Sequence, residues 1–153
     1  MSMGEKSPIA ISNPVAAGKL ALAEALINLL PSGVSKLSDI KISANWMASP
    51  DNAQRKTDLF NTVKELTQKV CNPWRIAVPV GKDSLSMKTI WQKDKKTNLS
   101  PQSLIISAFT KIKNVKKSIT PQLIDSNELS LVYLDLSKTK KRPSVRSSTV
   151  VGI

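Results

Sequence analysis

Residues 14–30, from Pro14 to Leu30, are apolar on nearly every side of a helical projection, interrupted only by Gly18, Lys19, Glu24 and Asn28. Asn13 is a favourable N-cap, because its side-chain oxygen can accept a free backbone N–H. Pro14 suits the first helical turn, where its missing N–H costs nothing. Pro31-Ser32-Gly33 supplies the stop. A helix apolar nearly all round must be buried, so the rest of the chain has to be arranged to cover it.

The remaining segments supply that cover. Residues 7–12 (Ser-Pro-Ile-Ala-Ile-Ser) read as a short strand ahead of the helix. From Asp39 to Met47, Ile40, Ile42, Ala44 and Trp46 fall on alternate positions, the mark of a half-buried strand. Ser49-Pro50-Asp51 opens a second helix that runs to about Val70. Its apolar stripe is Leu59, Val63, Leu66 and Val70, with polar residues opposite. Residues 75–80 predict a strand, followed by a turn at Gly81. Residues 84–91 and 102–112 predict two further strands joined as a hairpin across 92–101. Thr120-Pro121 is a connector, and a final strand is expected at 129–136. No internal repeat is present. The fold class is α+β, with two helices packed on a sheet.

Composition removes several chemistries. The 153 residues contain no histidine and one cysteine. That excludes Ser-His-Asp and Cys-His nucleophiles, an internal disulfide, cysteine metal clusters and most zinc sites. Cys71 follows an apolar helical pattern and reads as a packed structural thiol. With 41% apolar but only 4% aromatic residues, the core is built from Leu, Ile, Val and Ala. The net charge of +12 raises the question of nucleic acid. However, the lysines cluster at 93–96, 111–117 and 138–142 without interleaved aromatics to stack bases, so nucleic acid is not the expected partner. The chain is expected to have no membrane span and no signal peptide, and to be cytoplasmic.

Two polar constellations carry candidate chemistry. The first is Pro79-Val80-Gly81-Lys82-Asp83-Ser84-Leu85-Ser86-Met87-Lys88-Thr89. Glycine permits close backbone approach, and lysine and free N–H groups attract phosphate. A surface loop before a strand accounts for the same residues, with Asp83 shaping the turn. The second is Glu24 and Asn28, four apart and so on one helical face. Oxygen donors of this kind suit a hard cation such as Mg²⁺ that keeps phosphate oxygens as further ligands. A glutamate at a partly exposed edge, with an asparagine bonding back near the helix end, is the structural alternative. Asn45-Trp46 either lines a pocket at a strand end or is a core tryptophan beside a turn asparagine.

Five runs occur in order: Glu24-Ala-Leu-Ile-Asn28, Ile42-Ser-Ala-Asn-Trp-Met47, Pro79 to Thr89 as above, Ser100-Pro-Gln-Ser-Leu-Ile-Ile-Ser-Ala-Phe109, and Thr120-Pro-Gln-Leu123. Together they closely resemble the large form of phosphoribosylformylglycinamidine synthase, from about Gly4 to Asp135. The resemblance identifies the chain as an internal fragment of the second of two halves, each similar to aminoimidazole ribonucleotide synthetase. It implies an incomplete aminoimidazole ribonucleotide synthetase-like N-terminal domain at 1–120, with a mixed or antiparallel sheet and two packed helices. The start of a following C-terminal-type domain is implied at 121–137.

The resemblance further implies an ATP- and glutamine-dependent ligase of purine biosynthesis that converts formylglycinamide ribonucleotide to the amidine. In that family ATP phosphorylates the amide oxygen and ammonia from a glutaminase domain displaces phosphate. Glu24 and Asn28 match the family's Mg²⁺ ligands, which favours metal ligation over the structural alternative. Gly81, Lys82, Asp83 and Ser84 match its nucleotide and phosphate loop. The implied cofactors are Mg²⁺ and ATP or ADP. The implied partners are a nucleotide and the remaining segments of the synthase, glutaminase domain included. Two further aspartates of the family's metal site have no counterpart in this chain, and Cys71 lies in no nucleophile motif. The fragment is therefore expected to lack turnover alone, with no catalytic residue of its own. After Lys138 the family pattern stops, and 138–153 is expected to be an aberrant, disordered tail, as a frameshift would produce. The alternative function is a non-catalytic nucleotide-binding or basic RNA-associated module.

Overall fold

A computed structural model of the protein describes residues 1–93, 95–122, 125 and 130. The chain divides into two compact units, Met1–Ile119 and Thr120–Ile153, and every described helix and strand belongs to the first. The strand expected at 129–136, apart from Ser130, and the tail at 138–153 lie outside the described residues.

Asn13 caps the first long helix, its side-chain oxygen accepting from the Ala16 N–H at 2.9 Å. This helix, α2, runs Pro14–Leu29; a 3₁₀ turn, Leu30–Ser32, extends it, and Gly33 ends it with φ of +77°. That left-handed conformation is one that glycine adopts without steric cost. The stretch Pro14–Ser32 is also long and apolar enough to cross a membrane, although no such span is expected from the sequence. Its inner face, Ala21, Leu22, Ala25, Leu26 and Leu29, is the centre of the core, as a buried helix of a layered fold requires.

A four-stranded mixed sheet lies against α2. Its strands are β1 (Ser2–Glu5), β2 (Lys41–Met47), β3 (Ala77–Ser84) and β6 (Ser103–Phe109), in the order β1-β6-β2-β3. β6 is antiparallel to both β1 and β2, whereas β2 and β3 are parallel. The alternation in β2 is as the sequence predicts: Ile42, Ala44 and Trp46 are buried, together with Leu104, Ile106 and Ala108 of β6. The second long helix, α3 (Ala53–Leu66), is capped by Asn52 and continues through a wider turn, Thr67–Cys71, into the short α4 (Asn72–Trp74). It packs beside α2 and adds Leu66 and Cys71 to the core. A separate two-stranded ribbon, β4 (Lys88–Trp91) with β5 (Lys96–Leu99), stands apart from the main sheet. The α+β class and the mixed sheet with two packed helices are as expected.

Three local expectations are corrected. Ser7–Ala10 is a helical turn, α1, not a strand. Pro8 suits a first helical turn, and the strand falls on Ser2–Glu5 because β6 offers it a pairing edge. Gly81 is not a turn: β3 continues through it to Ser84, held in register against Ala44–Met47 of β2. The hairpin joins β4 to β5, not 84–91 to 102–112, because β6 is taken up between β1 and β2.

Candidate functional site

Glu24 and Asn28 lie on the side of α2 that faces β1, and the approach of these two elements is very close. A β-carbon on Gly4 would stand 2.0 Å from the Ala21 carbonyl oxygen and 2.5 Å from the Ala25 nitrogen. Glycine in the strand and alanines in the helix therefore let backbone meet backbone. Ser2 Oγ donates to the Ala25 carbonyl at 2.6 Å. Asn28 Nδ2 donates to the Met3 carbonyl at 3.0 Å, and Glu24 Oε2 accepts from the Glu5 N–H at 2.8 Å. These polar side chains of an otherwise apolar helix clasp the edge strand, whose outer backbone groups have no neighbouring strand among the described residues.

Lys6 completes the cluster, its Nζ 2.5 Å from Glu24 Oε1. The Lys6 side chain is 10% exposed and that of Glu24 32%. Next to them the Glu5 carboxylate accepts from the Ser7 N–H. Burial works against the Glu24 charge, but the Lys6 ammonium and the Glu5 N–H outweigh it and hold the carboxyl below its usual range. Glu24 is thus an ionised carboxylate already carrying one cation. One turn away, the Asn28 amide oxygen accepts no hydrogen bond among the described residues. A carboxylate and an amide oxygen on one helical face form a donor pair that fits a hard divalent cation. Among the described residues, no three His, Cys, Asp or Glu side chains converge as a complete metal site.

Gly81, Lys82 and Asp83 are exposed along β3, the opposite edge of the sheet, and Ser84 is half-buried. Space around Gly81 is open, with nothing within 4 Å of a β-carbon placed there. Lys82 Nζ donates to Ser84 Oγ at 2.7 Å, a contact an anion could replace at little cost. The structure does not bring the two constellations together. Glu24 and Asn28 sit on α2 against β1, whereas Gly81–Ser84 lie in β3; β1 and β3 are the two outer strands of the four-stranded sheet, three strand spacings or ~14 Å apart. Asn45 lies in β2 beside Lys82, with its side-chain oxygen buried and without a partner among the described residues, while the Trp46 ring is in the core.

Sequence reasoning missed Lys6 and the Glu5 N–H as partners of Glu24. The only signal was their place just ahead of an apolar helix carrying a carboxylate. It also missed a cavity of about 480 Å³ whose lining includes Ser12, Ser49, Arg55, Asp58 and Gln102. There Arg55 is already engaged, donating to the carbonyls of Ser49 and Ser100.

Comparison with known proteins agrees with this architecture. The solved structure of phosphoribosylformylglycinamidine synthase II from Thermotoga maritima is similar, with a TM-score of 0.55 and 20% identity, over 78% of this chain and 18% of that one. At that identity the likeness is one of fold, and this chain spans less than a fifth of the other's length. The FGAR-AT PurM_N-like domain model matches residues 1–111 of the 153. The chain belongs to the FGAR-AT PurM_N-like domain family, and its relationship is to the purine-biosynthesis ligases for which that family is named.

Proposed function

We propose that this chain is a nucleotide-holding portion of phosphoribosylformylglycinamidine synthase, the glutamine-dependent ligase that forms formylglycinamidine ribonucleotide. The observation that carries the reading is the ionised Glu24, one turn from an Asn28 amide oxygen that accepts no hydrogen bond among the described residues, within a segment the family model matches. In it Glu24 and Asn28 hold Mg²⁺ at the β1 edge, and Gly81, Lys82, Asp83 and Ser84 offer phosphate contacts at the β3 edge. Bound Mg²⁺ neutralises phosphate charge during phosphoryl transfer. ATP or ADP is the nucleotide. The ammonia source, the substrate site and the remaining metal ligands belong to other segments of the synthase, so the chain alone has no turnover. A ligand reaching both edges is completed by those segments, since ~14 Å of sheet separates β1, against which Glu24 and Asn28 pack, from β3.

Isothermal titration with ADP and Mg²⁺ tests this. Binding that requires Mg²⁺ and is lost in Glu24→Ala supports it; binding that ignores both overturns it. A second reading, polyanion binding, rests on a cavity of about 520 Å³ whose lining includes Lys41, Lys111 and Lys113 beside a single carboxylate, Asp39. It expects RNA binding that weakens steeply with salt and is indifferent to Glu24→Ala.

A further inference from the structure

We propose that Lys6 is the resident counter-ion of Glu24, and that a divalent cation reaches this carboxylate only by displacing the Lys6 ammonium. Lys6 thereby sets the cation affinity of the site. The inference rests on the reading of Glu24 and Asn28 as Mg²⁺ ligands and adds a residue that reading does not contain.

Both oxygens of Glu24 are taken. Oε2 holds the backbone N–H of Glu5 at 2.8 Å and Oε1 holds Lys6 Nζ at 2.5 Å. The first bond anchors β1 and involves no charge on the donor, so it can persist with a metal bound. The second places a full positive charge where a cation would sit. Mg²⁺ binds carboxylate oxygen at about 2.0–2.1 Å. An ammonium on the same oxygen would then stand within a few ångströms of the ion. Like charges at that separation repel strongly, so occupancy is exclusive.

Among the described residues, Glu24 is the one hydrogen-bond partner of the Lys6 ammonium. The Lys6 side chain is 10% exposed, and a buried lysine is rarely tolerated unless paired. Its backbone, at φ −143° and ψ 45°, precedes α1 without a side-chain capping bond. Displacement of the ammonium therefore breaks no capping bond of α1. With no metal bound, the ammonium neutralises Glu24. With metal bound, it becomes a free cation beside the site, where phosphate oxygens would meet it.

The test uses the full chain and Mn²⁺, a paramagnetic stand-in for Mg²⁺ whose free concentration is read by electron paramagnetic resonance. Lys6→Met should tighten Mn²⁺ binding on the order of tenfold and enlarge the Mn²⁺-induced rise in Tm. Lys6→Gln should do the same while keeping a hydrogen-bond donor. Lys6→Arg, which keeps the charge, should bind no more tightly than the parent. Parent binding that needs Glu24, with Lys6→Met and Lys6→Gln no tighter than the parent, overturns the role of Lys6 and leaves the metal reading standing. Tighter binding by Lys6→Arg also overturns it. Absence of Mn²⁺ binding from the parent and the folded neutral variants overturns both.

Discussion

Gly4 and Ala21 meet backbone to backbone: a β-carbon on Gly4 would stand 2.0 Å from the Ala21 carbonyl oxygen. That is well inside van der Waals contact, and the obstructing atom is main chain of a buried helix. Gly4→Ala should therefore push β1 off α2 and destabilise the protein by about 1–3 kcal/mol, measured as a fall in Tm. It should also loosen the Glu5 N–H to Glu24 bond, so amide exchange at Glu5 should quicken. An unchanged Tm would mean that the strand does not seat on the helix as described.

Thr62 ties α3 to the segment entering β6. Its hydroxyl donates to the Asp58 carbonyl at 2.7 Å and accepts from Gln102 Nε2 at 2.9 Å, and the residue is 1% exposed. Thr62→Val keeps the shape but strands the Gln102 amide. The expected loss is about 1–3 kcal/mol in denaturant unfolding. Combining it with Gln102→Leu should recover part of that loss, because both polar partners are then gone.

Acid should act through Glu24. Its carboxyl is held below the usual range in the folded protein. Its stabilising contribution is therefore complete above the unfolded pKa of about 4.3 and disappears as pH falls through the lower folded value. Glu24→Gln should cost about 1 kcal/mol at neutral pH. The parent and variant Tm curves should converge between about pH 5 and pH 3. Asp51, held down by the Ser49 hydroxyl and Lys88, and Glu65, held down by Lys69 and Lys19, are shifted in the same direction. They add acid sensitivity that both proteins share. A constant gap across that range would show that the Glu24 charge contributes nothing.

Cys71 is buried, and that burial pushes its thiol up from the usual value. Since the thiolate is the reactive form, iodoacetamide should label Cys71 slowly in the native protein and rapidly in denaturant. Mass spectrometry at matched times distinguishes the two. Rapid native labelling would place the thiol outside the core.

Much of the fold was legible because some segments carry their own instructions. Asn13, Pro14 and Gly33 bound α2 chemically, and α2 formed where those residues placed it. The alternation of Ile42, Ala44 and Trp46 requires a strand with one buried face, whatever lies beyond it. The candidate site was only half legible. That Glu24 and Asn28 share a helical face follows from 3.6-residue periodicity; that Lys6 and the backbone of β1 occupy that face does not.

By itself, then, the sequence determined the two long helices, the central strand, the composition of the core and the family. The tertiary structure alone decided which strand pairs with which. Strand pairing is a contest between edges, and no local pattern in Ser2–Glu5 or Ser103–Phe109 names the partner. It also decided that the cation facing Glu24 is Lys6, because a charge is neutralised by what folding brings within a few ångströms of it.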